Sequence, residues 1–573
     1  MNDARTYSRV QAEQFFSGPV SPLFYSIFKR IYLKYYIRET IDTLNLNFKV
    51  DNELLVRHKN NLYVDTKFYE YALIHLPLKS NRDRLLDIFP EDIKEDLKTT
   101  KTKPKMVGAI KIIFFILFHP QYWVTNLDEN FKTQVVPTIM GDLESLKNFH
   151  SMTNHELYNS YRNLEEVAKL HIQTSKWGLG LYSIPLIELM GKFLEKNGTN
   201  KKHLSTLISG LEINRTLDAS LELEQLSEFI LNNSEKTTLD IFELKSNNFS
   251  DYRSKLENTN DGQKINDYFD CILFKFGHRR VSRDIYQPSW SDDPIIPFSI
   301  LKKLVSDHTQ RTNNMKDLLV TRRNKTERKI MQRLSFGKKH LFKILSNYMV
   351  RYVAFREFQR FYLDIILQKL KQLILEISNR MVKEHALNKL EDIFFLELSD
   401  IITYLNGKRK IGLKKKAEFQ KLSFDTTEIT PGRYLRSGVD FDSISTKSKK
   451  NKRNNFPTSQ KTTKWVIKGQ PLGPGIFSGK VKILEQMNIN FELERNDIIV
   501  TRCIDPGQTH LFLLAGALVF EIGGILSHGA ILAREFNLPT VASVKNATKI
   551  FKDGQIITVN GTNGEIILET SWG

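Results

Sequence analysis

A single histidine, His528, lies between a glycine pair and a predicted helix in the stretch GGILSHGAILAREF. Gly523 and Gly524 allow the backbone to approach a ligand closely or to adopt positive φ, and Ser527 is a favourable N-cap residue. His528 is therefore predicted in the first helical turn, where unpaired N–H groups and the helix dipole favour an anion such as a phosphoryl group. A neutral imidazole in that position is a competent nucleophile. A histidine that only packs or hydrogen-bonds is the alternative.

The surroundings of His528 do not suit a metal ion. No second histidine and no cysteine stands nearby at metal-binding spacing, so no metal site is expected on this chain. The two cysteines, Cys271 and Cys503, lie outside any C-x-x-C motif. A disulfide framework is not expected, and a reducing, cytoplasmic location is predicted.

The most apolar early segment, Val107 to Trp123, does not predict a membrane span. It contains Lys111 and is interrupted by Pro120, so its apolar run is shorter than the roughly 20 residues that a bilayer requires.

The formal net charge of +19 is unevenly distributed along the chain. Residues 465–573 contain 9 Lys plus Arg and 10 Asp plus Glu, so the first 464 residues carry an excess of +20. Such an excess suits nucleic acid, an anionic membrane surface, an acidic partner or a phosphorylated ligand. No nucleic-acid motif with the proper spacing is present, and helical stretches such as residues 321–340 favour a solvated basic face.

Periodicity divides the chain into a helical part and a β-rich part. Residues 1–440 predict a large, mainly α-helical region, and residues 465–573 predict a compact domain of short β-branched strands with one or two helices. Residues 441–464 between them are rich in Lys, Ser and Thr and predict a flexible basic linker. The fold class is therefore multidomain, α and α+β.

One long helix is predicted with particular clarity near residue 360. Its apolar residues recur at spacings of three and four and share one face, while Arg356, Glu357 and Arg360 point away from it. The apolar set is Phe355, Phe358, Tyr362, Ile366, Leu370, Leu373 and Ile377.

Residues 521–568 resemble the swivelling phosphohistidine domain of PEP-utilising enzymes. The matching elements are Gly-Gly before Ser-His, the Ala-Arg-Glu-Phe helix, the Leu-Pro-Thr-Val strand and the closing Asn-Gly-Thr-x-Gly. This domain is shared by phosphoenolpyruvate synthase, pyruvate phosphate dikinase and rifampicin phosphotransferase. The resemblance implies a β/β/α domain in which His528 is the phosphorylated nucleophile.

The helical region resembles, more loosely, the middle domain of the rifampicin phosphotransferase type. Five segments agree in order and spacing, and they are residues 15–28, 61–77, 276–294, 356–363 and 392–401. The resemblance implies that this region holds an acceptor, such as a small molecule with a hydroxyl group.

The resemblance also implies a divided system. Neither an ATP-grasp domain, nor a glycine-rich phosphate loop, nor a phosphoenolpyruvate-binding barrel is recognisable in the sequence. We therefore expect ATP and Mg²⁺ to be bound by a separate ATP-grasp subunit, with the phosphoryl group relayed through His528 as the domain swings on its linker. The alternatives are a phosphoenolpyruvate-synthase-like subunit and an inactive scaffold protein that keeps the fold.

Several further residues are candidates for supporting roles. Arg534 matches the motif and either contacts phosphate or pairs with Glu535, while Ser527 caps the helix or positions the imidazole. In the helical region the candidates for phosphate or acceptor contact are His278, Arg279, Arg280, Arg356 and Arg360. Asp284 or Asp292 is the candidate acceptor base.

The sequence departs from the family pattern at three places. Phe520 stands where relatives commonly carry threonine, and Gln508 and His510 replace an aromatic residue and a proline. The glycine and glutamate usual after Arg279 are missing. The last departure concerns the acceptor region, so inactivation of an antibiotic is not inferred.

Overall fold

The structure is a computed structural model, and it describes most of the chain. The described residues are 5–14, 16, 18–75, 86, 88–99, 111, 114–115, 117–120, 123–145, 148–177, 184–200, 203–211, 215–246, 248–280, 282–306, 315–408, 412–426, 431–441, 464–484, 493–504, 506–525 and 527–569. The predicted linker, residues 441–464, lies almost entirely outside them.

The chain divides into two compact units that each draw on separate stretches of sequence. Unit 1 comprises Met1–Leu189, Asp284–Tyr286 and Ile366–Lys461, and unit 2 comprises Met190–Arg283, Gln287–Ile365 and Thr462–Gly573. The predicted division at residues 440 and 465 follows sequence composition, and it stays a prediction.

Helices dominate the region before residue 440, as predicted. In chain order they are α1 Pro22–Ile31, α2 Glu39–Thr43, α3 Thr66–His75, α4 Glu91–Thr99, α5 Val124–Asn130, α6 Val136–Ser145, α7 Asn154–Trp177, α8 Ile184–Lys196, α9 His203–Leu207, α10 Arg215–Asn233, α11 Lys236–Glu243, α12 Phe249–Glu257, α13 Gly262–Phe276, α14 Ile295–Ser306, α15 Met315–Gln332, α16 Phe336–Lys383, α17 Leu398–Leu405 and α18 Leu413–Asp425. Two further helices follow residue 440, and they are α19 His528–Glu535 and α20 Ala547–Ile550. Short 3₁₀ or π turns occupy Ala12–Gln14, Tyr32–Arg38, Asn52–Leu54, Phe131–Val135, Phe149–Ser151, Leu390–Phe395 and Pro506–Leu513.

Unit 1 also contains a small antiparallel sheet that the sequence did not predict. Its five strands pair in the order β2-β3-β1-β4-β5. The strands are β1 Thr6–Ser8, β2 Leu55–His58, β3 Asn61–Asp65, β4 Tyr434–Arg436 and β5 Val439–Phe441. The strands are only three to five residues long, and the pairing of β1 with β4 joins residues more than 400 positions apart, so the sequence carries little local signal for this sheet.

The 48-residue helix α16 confirms the predicted apolar face. All seven residues of that face are buried. Glu357 and Arg360, which point away from it, are buried as well. Helix α16 is thus covered on more than one side at this level, and its charged residues there must find partners inside the protein.

The predicted β-rich domain is confirmed as an eight-stranded sheet in unit 2, in the order β6-β13-β12-β8-β9-β10-β11-β7. Its strands are β6 Lys464–Lys468, β7 Gln470–Gly473, β8 Ile476–Leu484, β9 Ile498–Thr501, β10 Ala517–Phe520, β11 Thr540–Ala542, β12 Ile556–Asn560 and β13 Glu565–Glu569. Strands β8, β9, β10 and β11 run parallel to one another, whereas the remaining pairs, including β12 with β8 and β11 with β7, are antiparallel. The parallel strands β10 and β11 are joined by α19, the helix that begins with His528.

The two faces of this sheet bury different sets of apolar residues. Leu518 and Phe520 of β10 share a core with Leu532 of α19 and with residues of α10, α13 and α14. Val519 of β10 lies instead in a second core with Val481 and neighbouring strands. The alternation along β10 therefore attaches the sheet to the helices of unit 2 through one face.

Among the described residues, no helix is both long enough and apolar enough to span a bilayer.

A turn glycine in the sheet provides a test of the strand packing. A methyl group added at Gly561 would lie 1.9 Å from the Gly473 oxygen and 2.4 Å from the Thr540 nitrogen. We expect Gly561→Ala to lower the free energy of unfolding by about 1 to 3 kcal/mol because backbone atoms must move apart.

The measurement is denaturant unfolding, with Gly337→Ala in α16 as the control. A methyl group at Gly337 meets nothing within 4 Å, so this variant should be neutral or more stable by up to about 1 kcal/mol. Equal stability of the two variants would contradict the observed packing.

Candidate functional site

The loop between β10 and α19 places His528 at the start of a helix, as predicted. Ser527 is the N-cap residue, and its hydroxyl accepts a hydrogen bond from the Ala530 N–H at 3.3 Å. Gly523 has φ of +156°, a backbone conformation that favours glycine. Ser527 therefore caps this helix.

Gly529, directly after the histidine, packs tightly against the domain core. A methyl group at this position would lie 2.6 Å from Ile504 and 3.2 Å from the ring of Phe520. Phe520, which stands where a threonine is usual, is itself buried and supplies no hydroxyl group. Its ring instead sets the position of the first helical turn by contact.

The imidazole of His528 is hydrogen-bonded to a carboxylate that is distant in sequence. Its Nδ1 lies 2.8 Å from Oε2 of Glu357 in α16. His528 is 6% exposed and Glu357 is fully buried. A buried carboxylate needs hydrogen bonds or opposite charges, so the Nδ1–H of His528 donates to Glu357.

This hydrogen bond determines which ring nitrogen can react. With the proton on Nδ1, Nε2 carries the lone pair. Nε2 has no hydrogen-bond partner among the residues that the structure describes. The geometry thus leaves Nε2 as the nucleophilic atom.

The charges around this pair keep the imidazole neutral. Burial lowers the pKa of His528 to about 4; Glu357 opposes this shift, while Arg360 and Arg283 reinforce it. Burial alone would raise the pKa of Glu357, but His528, Arg360 and Arg356 together lower it to about 2. Both pKa shifts support a neutral histidine beside an ionised glutamate.

Two predicted arginines flank this glutamate. The side-chain nitrogens of Arg356 and Arg360 each lie 4.0 Å from Oε1 of Glu357. Arg360 is buried, whereas Arg356 keeps 18% of its side chain exposed. Their role in the site is therefore electrostatic support of the carboxylate, and their predicted contact with phosphate or acceptor stays a prediction.

Arg534 and Glu535 interact electrostatically, each shifting the pKa of the other, but within the described structure Glu535 takes its hydrogen bonds elsewhere. Glu535 accepts hydrogen bonds from the backbone N–H groups of Gly210 and Leu211 at 2.9 and 3.2 Å, and burial raises its pKa to about 7. Arg534 is 1% exposed, and its three guanidinium nitrogens have no hydrogen-bond partner within the described part of the chain. A buried guanidinium of this kind is suited to bind an anion.

The segment that contains His278, Arg279 and Arg280 is turned inward. The Arg279 guanidinium lies 5.2 Å from the ring centroid of Trp290, and Arg280 forms an isolated β-bridge with Ser289. Burial, together with the two neighbouring arginines, lowers the pKa of His278 to about 3. All three predicted side chains are buried within unit 2, which also contains His528.

A second carboxyl group, that of Asp364, connects this segment to the histidine. Burial raises the pKa of Asp364, and Arg283, Arg280, Arg279 and Arg360 oppose that shift. Arg283 and Arg360 are also the two arginines that lower the pKa of His528. The basic residues of the segment and of α16 thus form one electrostatic cluster.

The two aspartates considered as acceptor bases have other contacts. Asp284 belongs to unit 1, where its carboxylate accepts hydrogen bonds from the N–H and the hydroxyl of Ser21. Asp292 is exposed and accepts a hydrogen bond from the Ser289 N–H at 2.8 Å. Catalysis by Asp284 stays a prediction that these contacts do not favour.

Sequence reasoning missed Glu357, Arg283 and Asp364. A usable signal existed for Glu357 and Asp364, because they share a helical face with Arg360 at spacings of three and four. For Arg283 we find no such signal. Among the described residues, no group of three His, Cys, Asp or Glu side chains could hold a metal ion.

Comparison with known proteins agrees with the site. Residues 493–564 match the family described as PEP-utilising enzyme, mobile domain, and residues 179–357 match the rifampicin phosphotransferase fourth domain. The resemblance inferred from the motif is confirmed. The first match includes His528, and the second ends at Glu357.

Individual relatives show the same pattern. The chain is 31% identical to rifampicin phosphotransferase of Bacillus cereus over 315 residues, which is 53% of this chain and 34% of the relative. It is 27% identical to rifampicin phosphotransferase of Bacillus subtilis over 409 residues, 67% of this chain and 43% of the relative. It is 37% identical to phosphoenolpyruvate synthase of Aeropyrum pernix over 102 residues, 18% of this chain and 12% of the relative. The chain therefore covers well under half the length of these relatives.

The protonation state of His528 can be measured directly. Its imidazole should stay neutral as the pH falls below 6.5, the ordinary pKa of histidine, and should titrate near pH 4. Because the pKa of His528 is lower in the folded protein than in the unfolded chain, the unfolded chain binds the proton at a higher pH. The free energy of unfolding should therefore decrease as the pH falls from 6.5 to 4. NMR of isotope-labelled histidine, assigned with a His528→Gln variant, checks the titration.

Since Glu357 favours the protonated form, Glu357→Gln should lower the pKa of His528 further. A titration of His528 at or above 6.5 would contradict the neutral imidazole.

Proposed function

We propose that this protein is a phosphotransferase component that carries a phosphoryl group on Nε2 of His528. The observation that carries this proposal is the buried hydrogen bond between Nδ1 of His528 and Glu357. The phosphoryl group comes from ATP bound with Mg²⁺ by a separate ATP-grasp subunit. It passes to a hydroxyl group of a small molecule held by the helical region, and the protein works in the cytoplasm.

The first transfer uses the lone pair of Nε2. This pair forms a bond to the phosphorus atom while the bond from phosphorus to the donor oxygen breaks. The imidazole, which keeps its proton on Nδ1, becomes positively charged, and the carboxylate of Glu357 stabilises that charge. Glu357 therefore both orients the ring and favours the phosphorylated state.

The second transfer returns the ring to its starting form. The acceptor oxygen bonds to phosphorus as the N–P bond breaks, and the electron pair goes back to Nε2. The acceptor proton leaves to a base or to water. The division into two transfers lets the donor and the acceptor occupy different places.

Buried arginines support a site for the phosphoryl group. Arg283 and Arg360 act on the histidine electrostatically, and the guanidinium of Arg534 is buried without a hydrogen-bond partner in the described structure. Guanidinium groups bind phosphate oxygens through paired hydrogen bonds. A phosphoryl group on His528 would offset their charge.

The names of the relatives support the same chemistry. Rifampicin phosphotransferases and a phosphoenolpyruvate synthase are among the proteins to which this chain is similar. The movement of the domain between donor and acceptor is part of this proposal. The ATP-grasp subunit and the small-molecule acceptor are also part of it.

The decisive experiment is a search for acid-labile phosphate on His528. The chain is incubated with ATP and Mg²⁺, alone and with candidate ATP-grasp proteins, and separately with phosphoramidate as a donor that needs no nucleotide subunit. We expect one added phosphoryl group on His528 by peptide mass spectrometry. His528→Asn should lose it, and His340→Asn should retain it.

Two outcomes would contradict the proposal. Label that persists in His528→Asn would show that the nucleophile is another residue. Absence of label with every donor, despite a demonstrated complex with an ATP-grasp protein, would favour the inactive scaffold alternative.

Replacement of Glu357 tests its contribution to the transfer. We expect Glu357→Gln to slow phosphorylation of His528 about tenfold to a hundredfold, because the acceptor of the hydrogen bond from Nδ1–H loses the negative charge that stabilises the imidazolium. The measurement is the rate of label incorporation as a function of pH. The control is Glu327→Gln. It alters a carboxylate that accepts a hydrogen bond from Ser346 in the hairpin of α15 and α16, and it should leave the rate of phosphorylation unchanged.

A further inference from the structure

Helix α15 and the first turns of α16 form a helical hairpin in unit 2. The two helices are joined by residues 333–335, and the Ser346 hydroxyl donates a hydrogen bond to Glu327 across them. Their inner faces bury apolar side chains, which are Leu319, Ile330, Leu334, Phe342 and Leu345. We name residues 316–347 the basic hairpin.

The basic hairpin holds a large part of the positive charge of the protein. It contains 10 Lys plus Arg and 2 Asp plus Glu. Eight of the basic residues are exposed, and they are Lys316, Lys325, Arg328, Lys329, Arg333, Lys338, Lys339 and Lys343. The only exposed carboxylate of the hairpin is Asp317. Its surface is therefore strongly positive over its whole length.

Two arginines of the hairpin are used inside unit 2. Arg322 donates a hydrogen bond to the side chain of Asn537, and Arg323 donates to the carbonyl oxygens of Ser209 and Gly210. These contacts attach the inner side of α15 to the loop after α19 and to the loop after α9. The exposed basic residues are a separate set, of which Lys338 also donates a hydrogen bond to the side chain of Asn197.

Large apolar side chains lie exposed among these charges. Phe336, the first residue of α16, is 90% exposed, and Leu341, Ile344 and Leu318 are each more than 40% exposed. The residues from Ser335 to Leu341 are all exposed, so the first two turns of α16 project into solvent. Exposed apolar groups surrounded by positive charge mark an interaction surface.

We propose that the basic hairpin binds the surface of an anionic phospholipid membrane. The exposed lysines contact lipid phosphates, and Phe336, Leu341 and Ile344 enter the headgroup region. Interfacial helices combine basic residues with Phe and Leu in this manner. Each basic residue near an anionic leaflet adds attraction that salt weakens.

The types of the charged residues favour lipid over other anionic partners. Six of the eight exposed basic residues are lysines. Protein interfaces are depleted in lysine and enriched in arginine, and nucleic-acid recognition also relies heavily on arginine. Aliphatic side chains such as Leu341 and Ile344 add nothing to contacts with a phosphate backbone. A fluid anionic lipid surface binds both the lysines and the aliphatic side chains.

Such binding is peripheral, and it leaves the histidine site unchanged. The charge and apolar residues concerned lie outside the contacts of His528 and Glu357. The hairpin would place the phosphotransferase beside a lipid or lipid-bound acceptor. The inference stands independently of the proposed function, because it rests on the surface alone.

The test is sedimentation of the full chain with lipid vesicles. We expect binding to vesicles in which about a third of the phosphatidylcholine is replaced by phosphatidylglycerol, and at least about tenfold weaker binding to pure phosphatidylcholine. The triple variant Lys338→Glu, Lys339→Glu, Lys343→Glu should lose the binding about tenfold or more. Phe336→Ser should weaken it while leaving the net charge unchanged.

The matched control lies in α18 of unit 1, where Lys414, Lys415 and Phe419 are also exposed. Lys414→Glu, Lys415→Glu with Phe419→Ser should retain vesicle binding. The thermal unfolding midpoint of each variant, measured in parallel by circular dichroism, should be nearly the same and shows that all variants are folded.

Three results would overturn the proposal. The first is equal binding to the charged and uncharged vesicles, and the second is equal loss in the α18 control. The third is tighter binding to double-stranded DNA than to anionic vesicles at the same salt, with the same dependence on Lys338 and Lys339, since the surface would then serve nucleic acid.

Discussion

The candidate site depends on one buried hydrogen bond, from Nδ1 of His528 to Glu357, two residues that lie 171 positions apart in sequence. A carboxylate without exposure to water is costly unless hydrogen bonds and opposite charges surround it. Glu357 meets this requirement through the histidine and through Arg356 and Arg360. The same contact fixes the tautomer of His528, and with it the atom that can react.

The hydrogen bond between His528 and Glu357 also influences how the other charges of the site are arranged. Once Glu357 is ionised among arginines, further guanidinium groups nearby need an anion of their own. Arg283 and Arg360 divide their influence between His528 and Asp364, while Arg534 is left buried with no hydrogen-bond partner in the described structure. The proposal that His528 carries a phosphoryl group rests on this distribution of charge. In this respect the site differs from a structural salt bridge, in which the charges already balance.

The positive charge of the protein has two distinct uses. Part of it is buried with the histidine, where arginines lie near the carboxylates of Glu357 and Asp364. Another part lies exposed on the basic hairpin, together with Phe336 and other apolar side chains. Exposed lysines and buried arginines are consistent with the different hydration of the two groups. Sequence composition alone could not separate these uses, because both lie in helical stretches.

The sequence by itself determined the features that depend on local order. These are the strands of the β-rich domain, the Ser527 cap, the helix that begins at His528, and the apolar face of α16. It did not determine Glu357 as the partner of His528, and Phe520 could be noted only as a departure from the family pattern. Helical periodicity shows which residues share a face, but it does not show what covers that face. The burial of Glu357 and the hydrogen bonds from Gly210 and Leu211 to Glu535 were decided by elements far apart in the chain. Only the tertiary structure brings those elements together, because their contacts are electrostatic and long-range.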